Sequence, residues 1–150
     1  DGEKGRIQSI SMIILIIGGG GALKQVIIDS GVAKYIAHIM QGSPLSPLLL
    51  TWLIAAILRV TLGSATVAGL TAAGISAPLI GLTHVSPELM VLATGAGSIT
   101  FSHVNDAGFW IYKEYFNLSI GKTIRTWSVM VTILSLVGLA GVLILNLFVK

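Results

Sequence analysis

The sequence predicts an all-α membrane protein, and its composition and its apolar pattern both support this class. Of its 150 residues, 54% are hydrophobic and only 10% are charged, whereas a soluble domain carries roughly a quarter charged residues. The mean hydropathy is +0.92. The apolar residues also gather into four long blocks separated by short polar stretches, as in proteins that cross a bilayer several times. Most of the chain is therefore expected to face lipid or other apolar helices.

The polar composition excludes several other classes of protein. Nine Lys and Arg and six Asp and Glu are scattered singly along the chain, so no clustered basic face for nucleic acid is predicted. The sequence has no cysteine, no His-Glu-x-x-His motif and only three, widely separated histidines. We therefore expect neither a metal site nor another cofactor.

Two elements are predicted ahead of the first proline. Residues 7–23 are expected to form an apolar transmembrane helix that loosens at the glycine run 18–21, because glycine in a helix interior costs about 1 kcal/mol relative to alanine. In residues 24–42, apolar side chains recur every three or four positions between charged and polar ones. This spacing predicts an amphipathic helix that lies on the membrane surface.

The second apolar block, residues 48–82, is predicted to be a re-entrant helical hairpin. As a single helix it would be about 52 Å long, which is too long for one crossing of a hydrocarbon core about 30 Å thick and too short for two. Its middle, residues 59–66, contains an arginine, three hydroxyl side chains and a glycine. A reversal of the chain at this point, partway through the membrane, accounts for both the length and the polar residues.

Two further membrane elements are predicted. Residues 88–110 are long enough to cross, but their second half is rich in glycine and polar residues. A break in the backbone at membrane depth is tolerated only beside protein or water, so we predict a discontinuous transmembrane helix that lines a cavity. After a polar connector, residues 127–149 carry no formal charge and are expected to form the last transmembrane helix.

Candidate binding groups lie at the predicted hairpin tip. A broken helix leaves unpaired amides near Gly63, and the start of the second limb carries a partial positive charge that suits a carboxylate. Ser64 and Thr66 add hydroxyl donors for this anion, although such side chains in lipid often bond back to their own helix instead. Arg59 is costly to place in lipid, so it either holds an anion or has a structural role, capping carbonyls or pairing with Asp106.

A second polar cluster lies in the discontinuous segment. Ser98, Ser102, Asn105 and Phe109 would share one face of a continuous helix, with Asp106 beside them. Asp106 and His103 are candidate proton carriers, because an ionisable group at membrane depth is usually functional. The alternative is a structural network in which these side chains hold the broken helix together.

Several strings of residues make the sequence similar to a known family. They are Ile54–Ala68, Val85–Met90 and Phe101–Trp110, followed by Lys-Glu-Tyr-Phe-Asn from Lys113. From about Gly18 to Val149 the chain resembles the C-terminal third of the gluconate permease family. These are the proton-coupled gluconate symporters of the ion transporter superfamily.

The resemblance implies a larger, multi-pass transporter of the bacterial inner membrane, built from two inverted repeats of which this chain supplies one. Each repeat would bring a re-entrant hairpin and a broken helix to one site in mid-membrane. Protons would drive uptake of gluconate or a related sugar acid, and the string Ser102–Asp106 is more similar to the gluconate branch than to the D-serine branch. Implied substrate ligands are Ser64, Thr66, Ser102 and Asn105, with Asp106 or His103 on the proton.

Other functions and assemblies stay open at this point. The segment is alternatively a non-transporting structural fragment, since one repeat cannot alternate access alone. A membrane-embedded serine protease using Ser64 and His103 is a further alternative, although the sequence lacks the Gly-x-Ser-x-Gly setting; no other enzyme activity is predicted. The expected partners are the lipid bilayer and the rest of the same transporter chain, and the sequence leaves open whether two copies form a homodimer.

Overall fold

The computed structural model describes residues 45–83 and 85–149, together with residues 26, 29 and 30. Within these ranges every regular element is helical. The helices predicted over residues 7–23 and 24–42 lie outside the described residues, apart from the three isolated positions.

The segment predicted to be a hairpin contains two helices. Helix α1 spans Pro47–Leu62, and helix α2 spans Ala65–Ser76 and continues as a 3-10 helix over Ala77–Leu82. Ser46 is the N-cap of α1, because its Oγ accepts the amide of Leu49 at 3.2 Å. Proline at the following position suits the first turn of a helix, where an amide hydrogen is not needed.

The break between α1 and α2 consists of Gly63 and Ser64. Gly63 adopts a φ of +72°, a left-handed conformation that glycine reaches without steric cost. Its amide donates to the carbonyl of Arg59 at 3.0 Å and so ends α1. Ser64 then begins α2 as its N-cap, with Oγ accepting the amide of Val67 at 3.3 Å. The interruption therefore arises from two adjacent residues that are, respectively, a typical helix end and a typical helix start.

Helix α2 runs back along α1, and a third helix packs against both. Leu48, at the start of α1, and Leu79, beyond the end of α2, lie in one buried apolar cluster with residues of helix α3, which spans Pro87–Ser98. Farther along, a Cβ on Gly97 would lie only 2.4 Å from the carbonyl oxygen of Trp52. Close contact between α1 and α3 therefore depends on this glycine.

The segment predicted as a discontinuous helix is interrupted between α3 and helix α4, which spans Ala107–Tyr115. Because residues 99–106 are not helical, the predicted common face of Ser102, Asn105 and Phe109 is wrong: the first and third are buried and Asn105 is exposed. Phe101 has a φ of +40°, which no helix accommodates. The chain thus changes direction inside this interruption.

The last helix, α5, begins at Ile120, ahead of the predicted residue 127. It comprises Ile120–Thr123, a π-helical turn over Ile124–Ser128 and the long stretch Val129–Leu145. The earlier start follows from Ser119, whose Oγ accepts the amide of Lys122 at 3.4 Å. Among the described helices, only α5 is long and apolar enough to cross a membrane, whereas α1 and α2 are shorter apolar helices.

Candidate functional site

The break in the α1–α2 pair lies directly against the interruption between α3 and α4. A Cβ on Gly63 would lie 2.2 Å from the carbonyl oxygen of Asn105, so the two backbones touch. Asn105 Nδ2 donates to the carbonyl of Val60 at 2.8 Å, and His103 Nε2 lies 3.0 Å from the same oxygen. Since a carbonyl only accepts, Nε2 carries the proton of this imidazole. His103 and Asn105 therefore cap the partly negative C-terminal end of α1.

An ion pair joins the same two elements. Arg59 Nη2 donates to Asp106 Oδ2, and the two side chains are 4% and 17% exposed. Asp106 also begins α4 as its N-cap, because Oδ1 accepts the amide of Gly108 at 2.9 Å. Within the described ranges, Nε and Nη1 of Arg59 are buried without a hydrogen-bond partner. The structure thus brings Arg59 and Asp106 together in the pairing given above as the structural alternative for Arg59.

Ser102 connects this ion pair to the last helix. Its Oγ donates to Asp106 Oδ2 and accepts from Trp127 Nε1 at 2.7 Å, while its carbonyl accepts from Ser128 Oγ. The side chain of Ser102 is buried. Because its one hydroxyl hydrogen is already donated, Ser102 acts within a network that fixes the interruption to α5.

A second anchor lies about two turns farther along α5. Ser135 Oγ accepts from Trp52 Nε1 at 3.1 Å and donates to the carbonyl of Ala96 at 2.6 Å. Thr100 Oγ1 lies 2.5 Å from Ser135 Oγ and must be the donor there, since the serine hydrogen is already used. One hydroxyl thus links α1, the end of α3 and α5, with all of its bonding capacity satisfied.

Sequence reasoning missed the hydrogen bonds that α5 makes in these two anchors. The available signal was weak: Ser128 and Ser135 are seven residues apart on an otherwise apolar helix and therefore share a face. Trp127 beside them gives no sign of its partner, because Ser102 lies 25 positions away. Nor does any local pattern predict the left-handed Phe101, since bulky residues avoid that conformation.

The start of α2 is the open part of the site. Ser64 Oγ accepts the amide of Val67, and the Ser64 carbonyl accepts the amide of Ala68 at 2.9 Å. By helix geometry the amides of Ala65 and Thr66 have no partner within α2. The side chain of Thr66 is exposed and that of Ser64 partly exposed.

The two helix ends at the hairpin tip differ electrostatically. The negative end of α1 is covered by Asn105 and His103. At the positive end of α2, the amides of Ala65 and Thr66 have no partner within the helix and lie beside the hydroxyls of Ser64 and Thr66. An anion with hydroxyl groups fits this arrangement, because the amides receive negative charge and the serine and threonine hydroxyls supply further donors. Several of the predicted site residues lie together where the break after α1 meets the interruption before α4, namely Arg59, Gly63, Ser102, His103, Asn105 and Asp106. Ser64 and Thr66 lie at the adjoining start of α2.

The amino-acid sequence is similar to those of several bacterial transporters and permeases. The chain is 63% identical over 143 residues to the high-affinity gluconate transporter of Escherichia coli (strain K12), a match covering 95% of this chain and 33% of that protein. It is 61% identical to the Gnt-II system L-idonate transporter of the same strain, over 93% of this chain and 32% of the relative. A gluconate permease of Bacillus subtilis (strain 168) is 57% identical, over 95% and 32% respectively.

The chain spans about a third of the length of these relatives. No solved structure matches it significantly. The sequence model of the GntP family permease matches residues 3–148, nearly the whole chain. The chain therefore belongs to the GntP family of permeases, and the family predicted from its sequence strings is confirmed.

Proposed function

We propose that this chain forms one half of the binding core of a proton-coupled symporter that carries gluconate or a related sugar acid across the bacterial inner membrane. The observation that carries the proposal is the open, positively polarised start of α2 at Ser64, held against a broken helix by Asn105 and His103. Relatives covering most of this chain are named for gluconate and for L-idonate, which are both hydroxylated carboxylates.

The lengths of the helices support a hairpin that enters the membrane and returns. Helix α1 has 16 residues, or about 24 Å, which is shorter than a hydrocarbon core about 30 Å thick. The chain therefore reverses at Gly63 before α1 could complete a crossing. On this proposal Gly63 lies at membrane depth, where a non-helical backbone needs protein or water beside it, and the loop at Asn105 provides that cover.

On this proposal the substrate carboxylate binds the amides of Ala65 and Thr66. The hydroxyls of Ser64 and Thr66 donate to the carboxylate or to substrate hydroxyls. Asn105 uses its amide nitrogen on Val60, so its Oδ1 is the atom that accepts from a substrate hydroxyl. These side chains are exposed or partly exposed, as ligand groups must be before substrate arrives.

Arg59, Ser102 and Gly63 support these ligands. Arg59 adds positive charge beside the site and is fixed by Asp106, and Gly63 permits the close approach of the Asn105 backbone. For Ser102 we propose a positioning role in place of the predicted substrate contact, because its hydroxyl already donates to Asp106 and accepts from Trp127.

Of the two predicted proton carriers, the contacts favour His103. Its Nε2 donates to the carbonyl of Val60, which leaves Nδ1 to take up a proton. Asp106, by contrast, is engaged by Arg59, Ser102 and Gly108. Protonating His103 would strengthen its bond to the C-terminal end of α1. Proton uptake would therefore tighten the contact between the end of α1 and the interruption that contains His103.

The test uses the full-length transporter in sealed proteoliposomes with a pH indicator outside. Adding gluconate outside is expected to produce uptake of gluconate together with alkalinisation of the outer medium, and a protonophore is expected to abolish the pH change. Uptake with no pH change would contradict proton coupling. A folded protein that takes up no sugar acid would favour the alternative of a structural fragment.

The protease alternative has less support from the contacts. Ser64 Oγ accepts the amide of Val67 and His103 Nε2 faces the carbonyl of Val60, so neither side chain is directed to the other as a nucleophile and its base. Labelling of Ser64 by a fluorophosphonate in the full-length protein would favour this alternative.

A further inference from the structure

A groove runs along the outside of α2 and α3, away from the contacts with α1. It consists of two cavities of about 460 Å³ and about 170 Å³. Ala73, Val91 and Thr94 line both cavities, so the two are continuous. The groove extends from Thr66, at the proposed substrate site, to Ile80 beyond the end of α2.

Small side chains recur along the face of α2 that lines the groove, beside the larger Leu70 and Ile80. Every fourth residue lines the groove, namely Ala65, Gly69, Ala73 and Ala77. A four-residue spacing of small residues is the pattern by which helices in membranes bring their backbones close together. The facing wall on α3 includes Gly95 and Ser98.

Gly95 has no structural reason within the described ranges to be glycine. A Cβ at this position would meet no atom within 4 Å, and glycine inside a helix costs roughly 0.5–1 kcal/mol relative to alanine. Gly97, two positions later, differs because a Cβ there would collide with the carbonyl of Trp52. Gly95 lines the groove, so its lack of a side chain leaves the α3 wall flat enough for the backbone of another helix to approach.

A buried hydroxyl in the groove also requires a partner. Ser76 lines the smaller cavity and is 3% exposed, and its Oγ has no hydrogen-bond partner among residues 45–83 and 85–149. Hydroxyl side chains in membrane proteins commonly bond across to a neighbouring helix. A lipid chain offers no donor or acceptor, so lipid in the groove would leave Ser76 unsatisfied.

We propose that the groove seats an apolar transmembrane helix from the part of the transporter outside these 150 residues. The match covers 33% of the first relative, so about two thirds of such a transporter is available to supply it. The helix would pack its backbone against the small residues of α2 and Gly95 and would bond to Ser76. Its end would also close the side of the groove at Thr66. This inference depends on membrane location and not on gluconate as the substrate.

Photo-crosslinking of the full-length transporter in native membranes tests the occupant. Val91 is 67% exposed and lines both cavities, so a diazirine-bearing residue there would react with whatever fills the groove. The expected product, mapped by mass spectrometry, is an intramolecular adduct with a peptide from outside the 150 residues. An adduct mainly with lipid, with this chain's own residues or with a second copy would overturn the proposal. The same probe at Ile133, exposed on α5, is the control and should give a different adduct.

A pair of glycine variants tests the groove independently of crosslinking, through the amount of folded transporter. Gly95 and Gly141 both lie inside helices, and a Cβ on either would meet no atom within 4 Å. Gly95→Leu fills the groove and is expected to reduce the amount of folded, monodisperse full-length transporter by about tenfold, as overpacking does. Gly141→Leu should change it by less than about twofold, because surface positions are tolerant. Equal losses in both variants, or none in Gly95→Leu, would overturn the proposal even if transport itself proved unrelated to gluconate.

Discussion

The side chains of Arg59 and Asp106 join the last turn of α1 to the N-cap of α4 across 47 positions of sequence. Each of these residues also has a local role, since the Arg59 carbonyl accepts the amide of Gly63 and Asp106 caps α4. The pair therefore fixes the position of one break relative to the other. A site built between the two breaks depends on this contact for its shape.

Removing only the charge of Asp106 should destabilise the protein strongly. Asp106→Asn keeps an N-cap for α4 but leaves the buried guanidinium of Arg59 without its counter-ion. Breaking a buried ion pair in this way typically costs about 3–5 kcal/mol. We expect the melting temperature of the purified full-length transporter in detergent to fall accordingly.

The double variant Arg59→Met, Asp106→Asn is the control for this prediction. It removes the unpaired charge, so it should be more stable than Asp106→Asn alone by about 1–3 kcal/mol. If the effects of the two single substitutions simply add, the ion pair does not couple the two elements.

Gly63→Ala is expected to separate the hairpin tip from the broken helix. Its φ of +72° costs an alanine roughly 1–2 kcal/mol, and the new Cβ would collide with the Asn105 carbonyl. Both stability and gluconate uptake should fall. Gly121→Ala is the matched control, because its Cβ would meet nothing within 4 Å; a similar loss in both variants would contradict the proposed role of Gly63.

Ser135→Ala should weaken the attachment of α5 to the broken helix. The substitution leaves Trp52 Nε1, Thr100 Oγ1 and the Ala96 carbonyl without their common partner. Buried groups that lose a partner cost about 1–3 kcal/mol each, and we expect a clear fall in the melting temperature. Thr132→Val serves as control, since that hydroxyl bonds only back to the carbonyl of Ser128 at 2.7 Å; a wild-type melting temperature for Ser135→Ala would contradict the anchor.

The position of the first break was accessible from the sequence because its chemistry is local. Glycine followed by serine ends one helix and begins the next, and both preferences depend on backbone geometry alone. The start of α5 differs from the prediction because a local cap was overlooked. Polarity set the predicted boundary at residue 127, whereas the cap of Ser119 sets the observed one at Ile120.

The roles of the polar side chains were not accessible in the same way. From its residue type alone Ser102 could be a substrate ligand, and only its contacts with Trp127 and Asp106 place it in a supporting network. For Arg59 the sequence left two roles open, because the distance to Asp106 depends on how α1 packs beside the interruption. Such choices are decided by tertiary contacts, which a single sequence does not encode locally.

Thr66→Val tests the proposed substrate contact while keeping the size of the side chain. Thr66 is exposed at the open start of α2, so a hydroxyl that donates to a carboxylate should be worth about 1.5–3 kcal/mol. We expect the KM for gluconate uptake to rise by at least about tenfold with little change in melting temperature. Thr61→Val is the control, because its hydroxyl bonds to the carbonyls of Ile57 and Leu58 in its own helix at 3.0 and 3.1 Å. An unchanged KM in Thr66→Val would remove this hydroxyl from the site and leave the carboxylate to the backbone amides alone.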